Sequence, residues 1–321
     1  MQHAVFQKII QHDNKLEVCK MADNVGNKAS KEYYLGTPFE TEGFFARGLN
    51  NTDWGMKNRL SQIFCPKSGN SVMLAFDHGY FMGATSGLER LDMTIAPLVK
   101  HVDVLMATRG AIKSCIPPAV GQALCLRVTH DSSILNDDIS IGSGMGVEIE
   151  DAIRINASAM AVQTFIGAPG ERDSIATLCR FVDAGNRYGI PVLGVVAVGK
   201  QMERTTQFFQ LATRMLAELG ASFVKTYYCE DFEKVVAVCP VPIVIAGGKK
   251  LPENEALTVS YKAMCEGARG VDMGRNIFQS EAPAAMAQAI AKIVHDGFTD
   301  KEAYEFYLTE KSCCSAGKAK S

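Results

Sequence analysis

A lysine stands inside an apolar run. In "ASFVKTYYCED", residues 221–231, Lys225 interrupts a stretch that otherwise reads as a buried strand. Period-two alternation groups Phe223, Lys225 and Tyr227 on one face and Val224, Thr226 and Tyr228 on the other. Two chemistries are open to a lysine so placed. Burial disfavours the ammonium form and is expected to lower its pKa toward a nucleophilic amine, which attacks a ketone to form a Schiff base. Alternatively the side chain snorkels to the strand end and binds a carboxylate or phosphate as a plain cation. The strand pattern leaves both readings standing.

Other polar residues end apolar runs in the same way. "AFDHGY" carries Asp77 and His78, which project to opposite faces if the strand stays extended, so only one is expected in the mouth of a site. An aspartate there would hold substrate hydroxyls or shuttle protons, and a histidine would orient it or polarise a carbonyl. Asp-His-Gly is equally a plain strand-to-loop turn. "VIAGGKK" places Gly247 and Gly248 after one strand and "VDMGRNIF" places Gly274 and Arg275 after the next. Glycines let backbone N–H groups approach an anion, Arg275 would add a bidentate contact, and Lys249 a point charge. Arg109 in "ATRG", His130 and Asp131 in "RVTHD", and Lys200 with Arg204 further on are weaker candidates, since a basic residue in a loop is usually just solvated.

The elements that must position these residues repeat. From residue 71, "VMLAFDHG", "DVLMATRG", "ALCLRVTH", "SAMAVQTFIG", "IPVLGVVAVG", "SFVKTYYC", "VPIVIAGG" and "GVDMGRNIF" read as eight near-continuously hydrophobic strands, as expected for parallel strands covered on both faces. Helical patterns lie between them. In "TTQFFQLATRMLAELG" the apolar stripe is Phe208, Leu211, Met215 and Leu219, with Gly220 as terminator, and Pro283 fits the first turn of "EAPAAMAQAIAKIV". Strand and helix alternating eight times predicts a (β/α)8 TIM barrel, an α/β fold of typically about 250 residues, with an open doubly wound sheet as the alternative. In the barrel, functional residues belong at the C-terminal strand ends, and phosphate at the loops after strands seven and eight. Residues 1–70 read as an arm and helical cap, the arm able to pack on a neighbouring subunit; 71–310 as the catalytic barrel; and 311–321 as a flexible tail with exposed thiols.

Composition narrows the function classes. A net charge of −2 with no long Lys/Arg block argues against a nucleic-acid surface or a polybasic membrane patch. The longest apolar runs fall short of the ~18 residues of a spanning helix. The opening "MQHAVFQKIIQHDNK" lacks the pattern of a signal peptide, so a cytoplasmic address is expected. Ten cysteines are scattered without a CxxC pair and read mostly as small core hydrophobes; neither they nor the six histidines cluster at metal-ligand spacing, so no metal is expected.

The motifs "AFDHGYF", "FVKTYYCE", "CPVPIVIAGGKKLPENEAL" and "GVDMGRNIFQS" together resemble the LsrF-type thiolases of autoinducer-2 degradation, within the FbaB/DeoC group of class I aldolases. The likeness runs from "DWGMKNRLSQIF" through "AYEFYLTEKS", all but the arm and the tail. It implies a barrel whose strand-six lysine, here Lys225, forms a Schiff base. It further implies transfer of an acetyl group from 3-hydroxy-5-phosphonooxypentane-2,4-dione to coenzyme A, giving dihydroxyacetone phosphate and acetyl-CoA. Asp77, His78 and Gly79 match the strand-one motif of the family, and Gly247, Gly248, Gly274 and Arg275 its phosphate loops. Coenzyme A is then a co-substrate with no bound cofactor, and the chain assembles with itself, commonly as a decamer of two five-membered rings. One departure stands out: related fructose-bisphosphate aldolases carry an acid/base tyrosine where "QTFIG" has Phe165, two residues before Gly167. Phenylalanine exchanges no proton, which leaves Asp77, His78, Tyr227 or a water for that task. A class I aldolase and a non-catalytic binder of phosphorylated ligands remain the alternatives.

Overall fold

The computed structural model describes residues 43–198 and 203–318. The arm up to residue 42, and Lys200, lie outside the described residues. Eight parallel strands close a barrel in sequence order, β8 pairing back on β1: β1 (Ser71–Ala75), β2 (Val104–Thr108), β3 (Ala123–Arg127), β4 (Ala159–Thr164), β5 (Val192–Val196), β6 (Phe223–Tyr227), β7 (Ile243–Ala246) and β8 (Gly270–Met273). Besides short helical turns between β1 and β2, the helices among the described residues are α1 (Trp54–Ile63), α2 (Arg109–Cys115), α3 (Ile149–Arg154), α4 (Glu171–Tyr188), α5 (Thr206–Glu218), α6 (Phe232–Val238), α7 (Glu253–Cys265), α8 (Arg275–Phe278), α9 (Pro283–Asp296) and α10 (Asp300–Lys318). This is the (β/α)8 architecture expected from the sequence. Among the described residues no helix is long and apolar enough to cross a membrane.

The near-continuous hydrophobicity of the strands has two destinations. Val72, Leu105, Val162, Val224 and Ile245 face outward into the core shared with the helices. Met73, Val104, Leu193, Phe223 and Val244 face inward. The inward set does not stop at the strands. Helix α1, capped by the Asp53 carboxylate accepting from Met56 N at 2.8 Å, sends Met56, Leu60 and Ile63 into the same cluster, and Phe64 meets Phe223 edge-on at 5.4 Å. Phe223 opens β6, so α1 plugs the N-terminal end of the barrel, the cap expected for "WGMKNRLSQIF". The other end is left for polar chemistry.

Two expectations need correction. The buried face of α5 is Phe209, Ala212 and Leu216, while Leu211 is 56% exposed, so the stripe is rotated from the one read in the sequence. Small residues explain it: a Cβ on Gly194 of β5 would meet Leu216 Cδ2 at 2.8 Å, so this glycine and Ala212 draw the helix onto the sheet along a line that large residues alone do not mark. At the C-terminus, α10 continues through Lys318, so the expected tail from 311 is helical for most of its length, with the Cys313 thiol exposed. Of the eight cysteines described, all free, only Cys125, Cys229 and Cys239 are buried.

A polar clip fastens the plugged end. His295, in the last turn of α9, sets Nε2 2.8 Å from Asp103 Oδ2, just before β2, and Nδ1 2.8 Å from Ser68 Oγ in the loop leading to β1. Asp103 Oδ2 also accepts from Val72 N at 2.7 Å. The hydrogen bond to Asp103 raises the His295 pKa above its ordinary value, against the opposing effect of burial. A group whose folded pKa is raised stabilises fully below its unfolded value of about 6.5 and loses that contribution as pH rises through the folded value. The melting-temperature gap between the wild type and His295→Gln is therefore expected to be widest near pH 6 and to shrink toward pH 9; a gap that widens with pH contradicts the clip.

Candidate active site

Lys225 sits in the middle of β6, in register with Val195 of β5 and Val244 of β7, its side chain inward with Phe223 below and Tyr227 above, as the alternation predicts. Its Nζ stands 2.9 Å from Asp272 Oδ2, on β8, and 3.6 Å from Met106 Sδ, on β2. The Asp272 side chain is fully buried. Lys225 is the charge that Asp272 Oδ2 meets at contact distance, while Oδ1 has no hydrogen-bond partner among the described residues. Burial pulls the Lys225 pKa down, but the Asp272 and Asp77 charges outweigh it and the net shift is upward. This reverses the sequence expectation of a lowered lysine. Desolvation acts in the expected direction, but the two carboxylates that oppose it come from β8 and the end of β1, remote in sequence. At rest Lys225 is a cation, and its nucleophilicity depends on a nearby base. Burial pushes Asp272 upward, with the Lys225 charge pulling against it.

Asp77 and His78 both reach the pocket that Lys225 lines. Strand β1 ends at Ala75, and His78 already has helical dihedrals (φ −71°, ψ −11°), so the extended alternation that would separate the two has lapsed. Asp77 Oδ2 accepts from Arg127 Nη1 at 2.8 Å. Arg127, at the end of β3 and 3% exposed, also donates from Nε to Thr129 Oγ1 at 2.9 Å and from Nη2 to Tyr80 Oη at 3.0 Å and to Asp131 Oδ2. Asp131 accepts further bonds from Tyr80 Oη (2.6 Å), Gln163 Nε2 (3.0 Å) and Ser143 Oγ (2.9 Å). Asp77, Arg127 and Gln163 all line the pocket. His78 stacks on Phe278 with ring centroids 5.7 Å apart. Burial pushes its pKa down, helped by Arg275 and Lys225 and opposed by Asp77, so the imidazole is neutral at pH 7. Its Nε2 has no hydrogen-bond partner among the described residues.

The glycine corner faces the same cavity. Gly247, Gly248, Gly274 and Arg275 line it together with Lys225 and Tyr227. Gly248 has φ +66°, a left-handed conformation that a side chain would strain. Asn276 of α8 locks the two loops together, donating to Gly247 O at 2.8 Å and accepting from Leu251 N at 2.8 Å. Arg204 lies 3.9 Å over the Tyr227 ring. The remaining candidates fall elsewhere. Arg109 opens α2 half exposed and pairs with Asp151 at 2.6 Å, outside the pocket, because β2 hands over to a helix that turns the side chain away. His130 and Lys249 are exposed. Phe165 is fully buried and does not line the pocket; Gln163 is the β4 side chain that does. Sequence reasoning passed over Arg127 and Asp272, although each, like Lys225, is a charge inside an apolar strand. Among the described residues no group of three or more His, Cys, Asp or Glu is gathered to hold a metal ion.

Residues 71–280 match the DeoC/LacD family of aldolases. The chain belongs to that family. Within it, the 3-hydroxy-5-phosphonooxypentane-2,4-dione thiolase of Enterobacter sp. (strain 638) is 52% identical over 292 residues, 91% of this chain and 98% of that protein. The protein of the same name from Escherichia coli O139:H28 is 50% identical over 292 residues, 91% of this chain and all of the relative. Among solved structures, an archaeal fructose 1,6-bisphosphate aldolase superposes with a TM-score of 0.68 at 25% identity, over 75% of this chain and all of that one. The chain is thus an enzyme of the class I aldolase family by its relatives.

The two carboxylates around Arg127 define a stability test. With the Arg127 side chain 2% exposed and that of Asp131 equally buried, removing the cation leaves buried charges unpaired. Arg127→Met is expected to destabilise the fold by about 3–5 kcal/mol in urea unfolding. A loss within about 1 kcal/mol, the level of an exposed pair, would contradict the network.

Proposed function

We propose that the protein is a Schiff-base-forming thiolase that moves an acetyl group from 3-hydroxy-5-phosphonooxypentane-2,4-dione to coenzyme A, giving dihydroxyacetone phosphate and acetyl-CoA in autoinducer-2 catabolism. The observation that carries the reading is a buried lysine and a glycine corner with Arg275 opening into one cavity, Lys225 beside Gly247, Gly248 and Gly274. The names of the relatives supply the substrate. In this reading the phosphate rests on the glycine corner and Arg275, and Lys225 attacks the ketone next to the phosphorylated carbon, losing water to give an iminium. The coenzyme A thiolate adds to the other ketone. Collapse of that adduct breaks the bond to the carbinol carbon, whose electron pair enters the iminium and leaves an enamine, while acetyl-CoA departs. The proton lost by the thiol is matched by the one the enamine carbon gains, and hydrolysis frees dihydroxyacetone phosphate and Lys225.

Asp77, fixed by Arg127, holds the carbinol hydroxyl in this reading, and neutral His78 polarises the carbonyl under attack. Coenzyme A is a co-substrate and no resident cofactor takes part. The enzyme is cytoplasmic and a homo-oligomer; Leu135, 91% exposed, with Ile134 and Ile141 between β3 and β4, offers apolar surface for self-association. Full burial of Phe165, which has no exchangeable proton, weighs against aldol chemistry of the tyrosine-assisted kind.

Borohydride added with substrate is expected to leave a mass adduct on Lys225, absent in Lys225→Met, and product release is expected only with coenzyme A present. Turnover without coenzyme A makes the protein an aldolase instead, and binding without turnover or adduct makes it a passive binder of phosphorylated ligands.

A further inference from the structure

Schiff-base formation sets a proton-transfer problem that the cavity answers. A ketone and an ammonium give an iminium and water: two protons leave nitrogen and two arrive on oxygen, so no outside acid or base is consumed. The group that ferries them must touch Nζ and have an oxygen free of other partners. Asp77 is tied to Arg127 at 2.8 Å. Asp131 already serves Tyr80, Arg127, Gln163 and Ser143. Phe165 has no exchangeable proton. Among the described residues, Asp272 is the carboxylate with one oxygen 2.9 Å from Lys225 Nζ and the other, Oδ1, without a hydrogen-bond partner, in a fully buried side chain that lines the cavity.

We infer that Asp272 is the catalytic acid and base that carries both protons from the Lys225 nitrogen to the departing carbonyl oxygen. This rests on the Schiff-base reading above. Asp272 first takes a proton from the ammonium, and the freed nitrogen pair forms the C–N bond as the carbonyl π pair moves to oxygen. That oxygen takes the proton from Asp272. The regenerated carboxylate then removes a second proton from the nitrogen, now cationic, to give the neutral carbinolamine. Delivering this proton to the hydroxyl lets it leave as water while the nitrogen pair closes the C=N bond. The charge is +1 on nitrogen at the start and at the end. The surroundings suit a carboxyl that alternates between states: Lys225 from β6 favours its ionised form, while burial and the Asp77 charge beyond β1 oppose it. The same group run backward hydrolyses the product iminium.

The test uses the full chain with dihydroxyacetone phosphate as probe, measuring binding by calorimetry and the rate of borohydride trapping on Lys225 by intact mass. Asp272→Asn is expected to bind the probe within a few-fold of the wild type but to be trapped about 100-fold more slowly or worse. Asp272→Glu, which keeps a carboxylate, is expected to recover at least part of that loss. Trapping of the asparagine variant at the wild-type rate overturns the inference, as does an equal loss in both variants. An untrapped wild type removes the Schiff-base reading itself, a distinct result. Should the variants fail to fold, a wild-type trapping rate unchanged in deuterium oxide overturns the inference by itself.

Discussion

The burial of one ammonium inside a closed barrel governs the rest of the site. A lone charge at that depth costs several kcal/mol or more, so Lys225 is tenable only with a counter-charge at contact distance. Asp272 provides it from β8, across the intervening β7. The barrel holds this pair above an apolar lower interior: α1 fills the N-terminal end with Leu60 and Ile63. Layering along the strands therefore separates apolar packing below Lys225 from the polar, cavity-lining groups at and above it.

The counter-charge has a chemical consequence. Pairing raises the lysine instead of lowering it, so reactivity cannot come from burial alone. A lysine held as a cation until a carbonyl arrives needs a base already in contact, and the partner that stabilises the charge is also the group placed to accept the proton. The second ionic cluster, Asp77–Arg127–Asp131, keeps the neighbouring carboxylate tied to a guanidinium, whereas Asp272 meets Lys225 through one oxygen and keeps Oδ1 unpartnered among the described residues. In the mechanism proposed, two buried carboxylates near one lysine take different roles because their partners differ.

Much of the fold was legible because parallel barrel strands are short, apolar and regularly spaced, and β6 kept the strict alternation that points Lys225 inward. The glycine pairs after β7 and β8 were legible for the same reason: they punctuate strands whose ends were already located. Alternation failed where the strand stopped, at Asp77 and His78, and at Arg109, where the helix begins on the very residue assigned to the strand end. Arg127 and Asp272 carried the same signal as Lys225, a charge in an apolar run, but their meaning lies in partners 50 residues away in the first case and on another strand in the second. The sign of the lysine shift was hidden for that reason, since no local pattern states which charges a barrel brings together.

The most direct measurement of the central claim is a crystal structure of the protein soaked with dihydroxyacetone phosphate. The account predicts continuous density from Lys225 Nζ to the ketone carbon, with the phosphate against Gly247, Gly248, Gly274 and Arg275. A ligand whose phosphate lies at that corner with its carbonyl unbonded and turned away from Lys225, or a phosphate bound elsewhere, would contradict it.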